Sequence, residues 1–90
     1  MAQGRAMTTL DVLYFAWLRE RIGAPRERVE TAAATVGDLA AELAARDERH
    51  AAALSDLRAV RVAVDQQLAA MDTPLAGARE VAFFPPMTGG

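Results

Sequence analysis

The hydrophobic pattern of this chain changes period several times, and each change marks an element. In "TTLDVLYFA", Leu10, Val12 and Tyr14 share one parity while Asp11, Leu13 and Phe15 share the other. The stretch is rich in β-branched and aromatic residues, so it predicts a first strand. "AWLRERIG" is short, closes on Gly23 and has Pro25 behind it, the pattern of one or two helical turns ended by a glycine cap. "RERVET" supplies a second strand, and its charges suit a sheet edge. At Thr35 the period becomes helical. Thr35 with Asp38 makes an N-cap pattern, and Val36, Leu39, Ala40 and Leu43 then recur on one face. On this reading Glu42, Arg46 and "RDERH" form the solvated side and exit of the main helix. His50, with no second ligand at metal spacing, is read as a surface residue. "AVRVAVD" alternates again, with Val60, Val62 and Val64 against Arg61, Ala63 and Asp65, as a central strand does. "QQLAA" reads as a short partner strand, "MDTPLAG" carries turn chemistry at Asp72, Pro74 and Gly77, and "EVAFF" is the last strand.

Strand, strand, helix, strand, short strand, strand is an α+β order, and the β-grasp fold fits it: a mixed sheet of four to five strands covered on one face by a main helix. The expected organisation is a loose leader over residues 1–7, with Met7 as an alternative start, a domain over 8–84 and an extended tail over 85–90. One helix covers only one face. If Val12, Tyr14, Val62, Val64, Val81 and Phe83 point to the helix, then Leu13, Phe15, Ala63, Ala82 and Phe84 point away. Burying an aromatic side chain stabilises by roughly 2 to 3 kcal/mol, so an uncovered Phe15 and Phe84 suggest a partner surface. Two alternatives stand beside this: a loop folded over these residues, or a register shifted by one, which exchanges the faces.

Composition narrows the function classes. Ninety residues make one small domain with a single core. The 52% apolar content is inflated by alanine, and 24% charged residues with net charge −2 describe an ordinary globular chain. The acidic balance argues against nucleic acid. No apolar run is long enough for a bilayer and no signal-peptide pattern opens the chain, so no membrane is expected and the cytoplasm is the default. Without cysteine there is no disulfide framework, no thiolate zinc site and no cysteine nucleophile. All ten basic residues are arginines, which removes isopeptide attachment at a lysine of this chain and lysine Schiff-base chemistry.

The end of the chain, "REVAFFPPMTGG", is the most unusual segment. Pro85 and Pro86 cannot donate to a ladder and favour polyproline II, so they stop the sheet and aim the remaining residues outward. From Pro85 to Gly90 the reach is on the order of 20 Å at about 3.1 to 3.6 Å per residue. Gly89 and Gly90 carry no side chains, so a narrow tunnel admits them and leaves the Gly90 carboxylate unhindered. A frayed end is the plainer reading, but it gives no reason for prolines directly after an aromatic strand.

Four segments, "VLYFAWLRERIG", "TVGDLAAEL", "VAVDQQLA" and "EVAFFPPMTGG", make the chain resemble the molybdopterin synthase small subunits, a family of ubiquitin-like sulfur carriers, from Leu10 to Gly90. Gly-Gly alone is shared by ubiquitin and every related carrier; the aromatic pair followed by Pro-Pro-x-Thr/Ser-Gly-Gly is more specific. The resemblance implies that an adenylyltransferase of the ubiquitin-activating type uses ATP to adenylate Gly90, with Gly89 as its obligatory neighbour. Sulfur then replaces AMP, and the thiocarboxylate donates sulfur to cyclic pyranopterin monophosphate inside the large synthase subunit. The chain would be a non-catalytic carrier that binds no cofactor of its own, within a heterotetramer of two small and two large subunits; the sulfur donor stays open. By the same resemblance Phe15, Arg19, Leu68 and Phe84 match interface residues, with Pro85, Pro86, Met87 and Thr88 leading into the partner. Arg19 is equally readable as a plain surface arginine, and Trp17 as a packing residue. Asp65, where the family often has asparagine, and Ala78-Arg79, where an acidic pair is common, are departures. Other carriers, for thiamin, cysteine or tRNA thiolation, remain alternatives, as do a ubiquitin-like modifier and a non-covalent adaptor.

Overall fold

A computed structural model describes residues 7–86. The elements run β1 (Thr8–Tyr14), α1 (Trp17–Ile22), β2 (Arg26–Thr31), α2 (Val36–Ala44), α3 (Glu48–Leu54), a 3₁₀ turn (Leu57–Ala59), β3 (Arg61–Val64), β4 (Gln67–Ala69) and β5 (Glu80–Phe84). The five strands form one mixed sheet in the order β2-β1-β5-β3-β4. β1 and β5 are parallel, and the other neighbours are antiparallel. This is the β-grasp, and the charged strand β2 lies at an edge as its composition suggests.

Strand parity places the core. Leu10, Val12 and Tyr14 of β1, Val62 of β3, and Val81 and Phe83 of β5 all face the helices and are buried. α2 lays Val36, Leu39, Ala40 and Leu43 against them, each fully buried, so the helical stripe and the strand alternation close on one interior. Its N-terminus is held twice. The Thr35 side chain accepts from the Asp38 amide, and the amides of Val36 and Gly37 donate to the carbonyls of Thr73 and Met71 at 3.0 and 2.7 Å. The first amides of a helix have no partner within it, and the loop before β5 satisfies these two. A Cβ on Gly37 would stand 3.1 Å from the Met71 carbonyl oxygen, which explains a glycine inside a helix. Gly23 ends α1 at φ 93° with its amide on the Arg19 carbonyl, as the glycine-cap pattern foretells.

The helical layer holds more than one main helix. "RDERH" is not the solvated exit of α2; it contains the start of α3, whose N-cap is Asp47, accepting from the His50 amide at 2.8 Å. His50 is not on the surface either. It is 5% exposed, beneath α3, with Ala53 and Leu54 in the core beside it. An alanine run has high helix propensity but no apolar period, so hydrophobic spacing alone passes over α3. The usable signal is an aspartate N-cap ahead of "ERHAAAL".

Candidate functional site

The helix-free face of the sheet is apolar where parity puts it. Leu13 pairs with Ala82, Ala82 with Ala63, and Ala63 with Leu68, a row crossing four strands. One row further on, Phe84 stands opposite Arg61, and Phe15 continues β1, its amide donating to the Phe83 carbonyl at 3.1 Å. Phe15 is 44% exposed and Leu68 74% exposed, both large apolar side chains open to solvent. A shallow groove of about 520 Å³ forms here. Phe15, Phe84, Pro85 and Pro86 form its aromatic and proline walls, Ala63 and Ala82 line it between them, and Gln66 and Glu80 add polar groups. Alanine at 63 and 82 is what makes a groove: larger residues there would fill the space between the two phenylalanines. Ala82 itself is only 7% exposed, so of the residues expected to point into solvent it is one that the face covers.

Two local devices shape the rim. Ala16, which also borders the groove, holds φ 55° and ψ −133°, a conformation that favours glycine at the first central position of a type II′ turn. The turn closes through the Leu18 amide on the Phe15 carbonyl at 3.1 Å, and it swings the chain from β1 into α1 immediately after Phe15. On the far side, Asp65 and Gln66 make the two-residue hairpin between β3 and β4 with φ 50° and 70°, as a type I′ turn requires. The Asp65 carboxylate accepts from the amides of Arg79 and Glu80 at 2.9 and 3.0 Å. Aspartate and asparagine both tolerate positive φ and both carry an acceptor oxygen, so the departure at Asp65 preserves the turn and its bond to the start of β5. The Arg79 side of that departure enters through its backbone amide, which any residue but proline supplies.

The remaining part of this face is charged. Arg26 and Arg28 of β2 both reach Asp11 at 3.4 Å, so a polar edge flanks the apolar half. Of the expected site residues, the fold brings Phe15, Phe84, Pro85 and Pro86 together around one groove. Leu68 lies on the same face at the β4 edge, beyond the groove lining, and Arg19 is an exposed residue of α1 that does not line it. Met87, Thr88, Gly89 and Gly90 lie outside the described residues, as does most of the expected leader. Trp17 is half-buried against the core, with the Arg21 guanidinium 5.4 Å from its ring centre, a packing role. Sequence reasoning did not single out Ala16, Gln66 or Glu80; of these Glu80 shares the parity of Ala82 and Phe84 and was findable, whereas the turn residues needed the backbone. Among the described residues no group of histidine, aspartate and glutamate side chains could hold a metal ion, and no helix is long and apolar enough to cross a membrane.

Comparison with known proteins agrees with this arrangement. Residues 12–90 match the ThiS family. The molybdopterin synthase sulfur carrier subunit of Escherichia coli (strain K12) is 43% identical over 81 residues, which span 90% of this chain and 99% of that protein. The solution structure of the HVO 2177 protein of Haloferax volcanii superposes with a TM-score of 0.69 at 25% identity, covering 100% of this chain and 93% of the other. The crystal structure of SAMP1, small archaeal modifier protein 1, from the same organism gives a TM-score of 0.62 at 27% identity, over 92% of this chain and 100% of that one. The chain belongs to the ThiS family, with molybdopterin synthase sulfur carrier subunits among its relatives.

Proposed function

We propose that this chain is the sulfur carrier subunit of molybdopterin synthase and that its working group is the carboxylate of Gly90. The observation that carries the reading is the exit of β5: Pro85 and Pro86 leave the sheet from within the apolar groove of Phe15 and Phe84. A partner that covers this groove therefore receives the segment toward Gly90 in the same act. The large synthase subunit is that partner in the transfer step, and a ubiquitin-activating-type adenylyltransferase is the partner in the loading step. Both need an apolar seat, and a face of small and aromatic residues serves either.

A carboxylate is a poor electrophile because its leaving group would be oxide. Adenylation by ATP makes the leaving group AMP and releases pyrophosphate, and a sulfur nucleophile then displaces AMP at the acyl carbon. The resulting thiocarboxylate attacks a side-chain carbon of cyclic pyranopterin monophosphate through sulfur, and the oxygen substituent on that carbon leaves. Water then cleaves the acyl carbon–sulfur bond, which leaves sulfur on the pterin and returns the Gly90 carboxylate, and two such transfers build a dithiolene. The chain's own contribution is delivery. It supplies a carbon without side-chain hindrance and a body that docks, with ATP bound by the partner rather than by this chain.

Intact mass of the chain after incubation with its activating enzyme, ATP and a sulfur source tests this. The expected result is a gain equal to one oxygen-to-sulfur exchange, lost again on addition of the large subunit and cyclic pyranopterin monophosphate. The likeness to small archaeal modifier protein 1 supports a second reading, a ubiquitin-like modifier attached to lysines of other proteins. That reading calls for ladders of higher-mass conjugates in the same experiment.

A further inference from the structure

The titratable cluster that the groove leaves unused lies on the covered side of the sheet, under α3. There the His50 imidazole, its side chain 6% exposed, sits between two carboxylates. Nε2 is 2.7 Å from Glu27 Oε2 and Nδ1 is 2.8 Å from Asp47 Oδ1. Glu27 also accepts from the Tyr14 hydroxyl at 2.8 Å and from the Arg46 guanidinium at 3.1 Å. A neutral imidazole has one N–H and one lone pair, and an ionised carboxylate only accepts. Whichever nitrogen kept its lone pair would press it against a carboxylate oxygen at hydrogen-bond distance. The imidazolium, with two N–H groups, satisfies both partners, and the positive charges of His50 and Arg46 then balance Glu27 and Asp47.

We propose that His50 is a proton-dependent latch: as an imidazolium it ties α3, through its N-cap Asp47, to Glu27 on the edge strand β2 and to Tyr14 on β1, and on deprotonation α3 comes away from the sheet. The contact is well placed for this. The Tyr14 ring meets His50 edge-on at 6.2 Å, and the helix is a short one whose N-cap depends on the same aspartate. From the other elements packed on α3, Arg21 of α1 is turned onto Trp17 and Glu42 of α2 accepts from the Thr31 hydroxyl. Neither is drawn into the latch. Burial of the imidazole opposes its charge, but the hydrogen bonds and charges of Glu27 and Asp47 outweigh that and raise its pKa above the usual 6.5. Burial likewise opposes the Glu27 charge, and the bonds from His50 and Tyr14 outweigh it, so Glu27 is held below the ordinary carboxylate value. Asp47 is held low by the His50 amide first and its ring second. The histidine's contribution is therefore complete below its unfolded pKa and lost as pH rises through the raised one. The carboxylates' contribution is complete above their unfolded values and lost as pH falls through the lowered ones.

His50 is the only histidine, so its ring protons report one titration by NMR without assignment ambiguity. The expected midpoint lies above 6.5, and through it the α3 amides lose protection against hydrogen exchange, normalised for intrinsic rate, while β1 and β5 keep theirs. Glu27→Gln lowers the midpoint and moves the loss of α3 protection to lower pH with it. A midpoint at or below 6.5 in the unaltered chain overturns the latch. So does α3 protection that stays level across the midpoint. Both of these readings use the unaltered chain, so they hold whether or not the variant folds.

Discussion

Adjacent residues of this sheet meet opposite ends. Tyr14 and Phe83 are 1% and 0% exposed, their rings stacked 6.3 Å apart in the core. Phe15 and Phe84, each the next residue along, turn to the other face and line a groove. Both pairs are aromatic, so composition does not distinguish them; the covering helices do. On one side the side chains are consumed by folding, held at close packing by α2 and α3. On the other, apolar area is left over that folding alone does not use. A difference of one position thus separates residues that hold the molecule together from residues free to bind something else.

Exchanging the two kinds of residue should break the contrast most severely on the covered side. Phe83→Ala empties a site with no exposure and is expected to cost about 3 to 5 kcal/mol, a large share of the stability of a small domain, read from urea or thermal unfolding. Phe84→Asp should lower stability by less than Phe83→Ala does, since Phe84 is half-buried on the open face and outside the core. The same substitution should weaken binding to the large synthase subunit by about 2 kcal/mol or more, on the order of 30-fold; calorimetry with the folded variant measures it. Unchanged affinity would place the docking surface elsewhere.

The rim tests how far the open face depends on its turns. Asp65→Ala removes the acceptor for two backbone amides and a residue tolerant of positive φ, for an expected loss of about 1 to 2 kcal/mol. Asp65→Asn should recover most of it, since the amide oxygen accepts as the carboxylate does. Smallest is Ala16→Gly. Relieving φ 55° at that position should stabilise the chain by about 1 kcal/mol or slightly less, because glycine's added freedom in the unfolded state offsets part of the gain. A loss of stability there would mean that the turn is not strained.

The pattern of residues was enough for the five strands, the main helix with its Thr35 cap, the Gly23 stop and the division of the sheet into two faces. Alternation and helical spacing are local properties, and each segment carries its own. The pairing of Phe15 with Phe84 comes from the same parity once the two strands are neighbours. α3 and the place of His50 were not legible in this way. An alanine helix has no stripe to read. A histidine also shows nothing in sequence of a glutamate 23 positions away that the return of the chain brings to its ring. Likewise the positive φ at Ala16 arises where β1 turns into α1, and the grip of Asp65 on β5 where the β3–β4 hairpin closes beside that strand. Periodicity tells which side of a strand is apolar. The number of helices that arrive to cover it, and the polar contacts made where they land, depend on segments distant in sequence meeting in space.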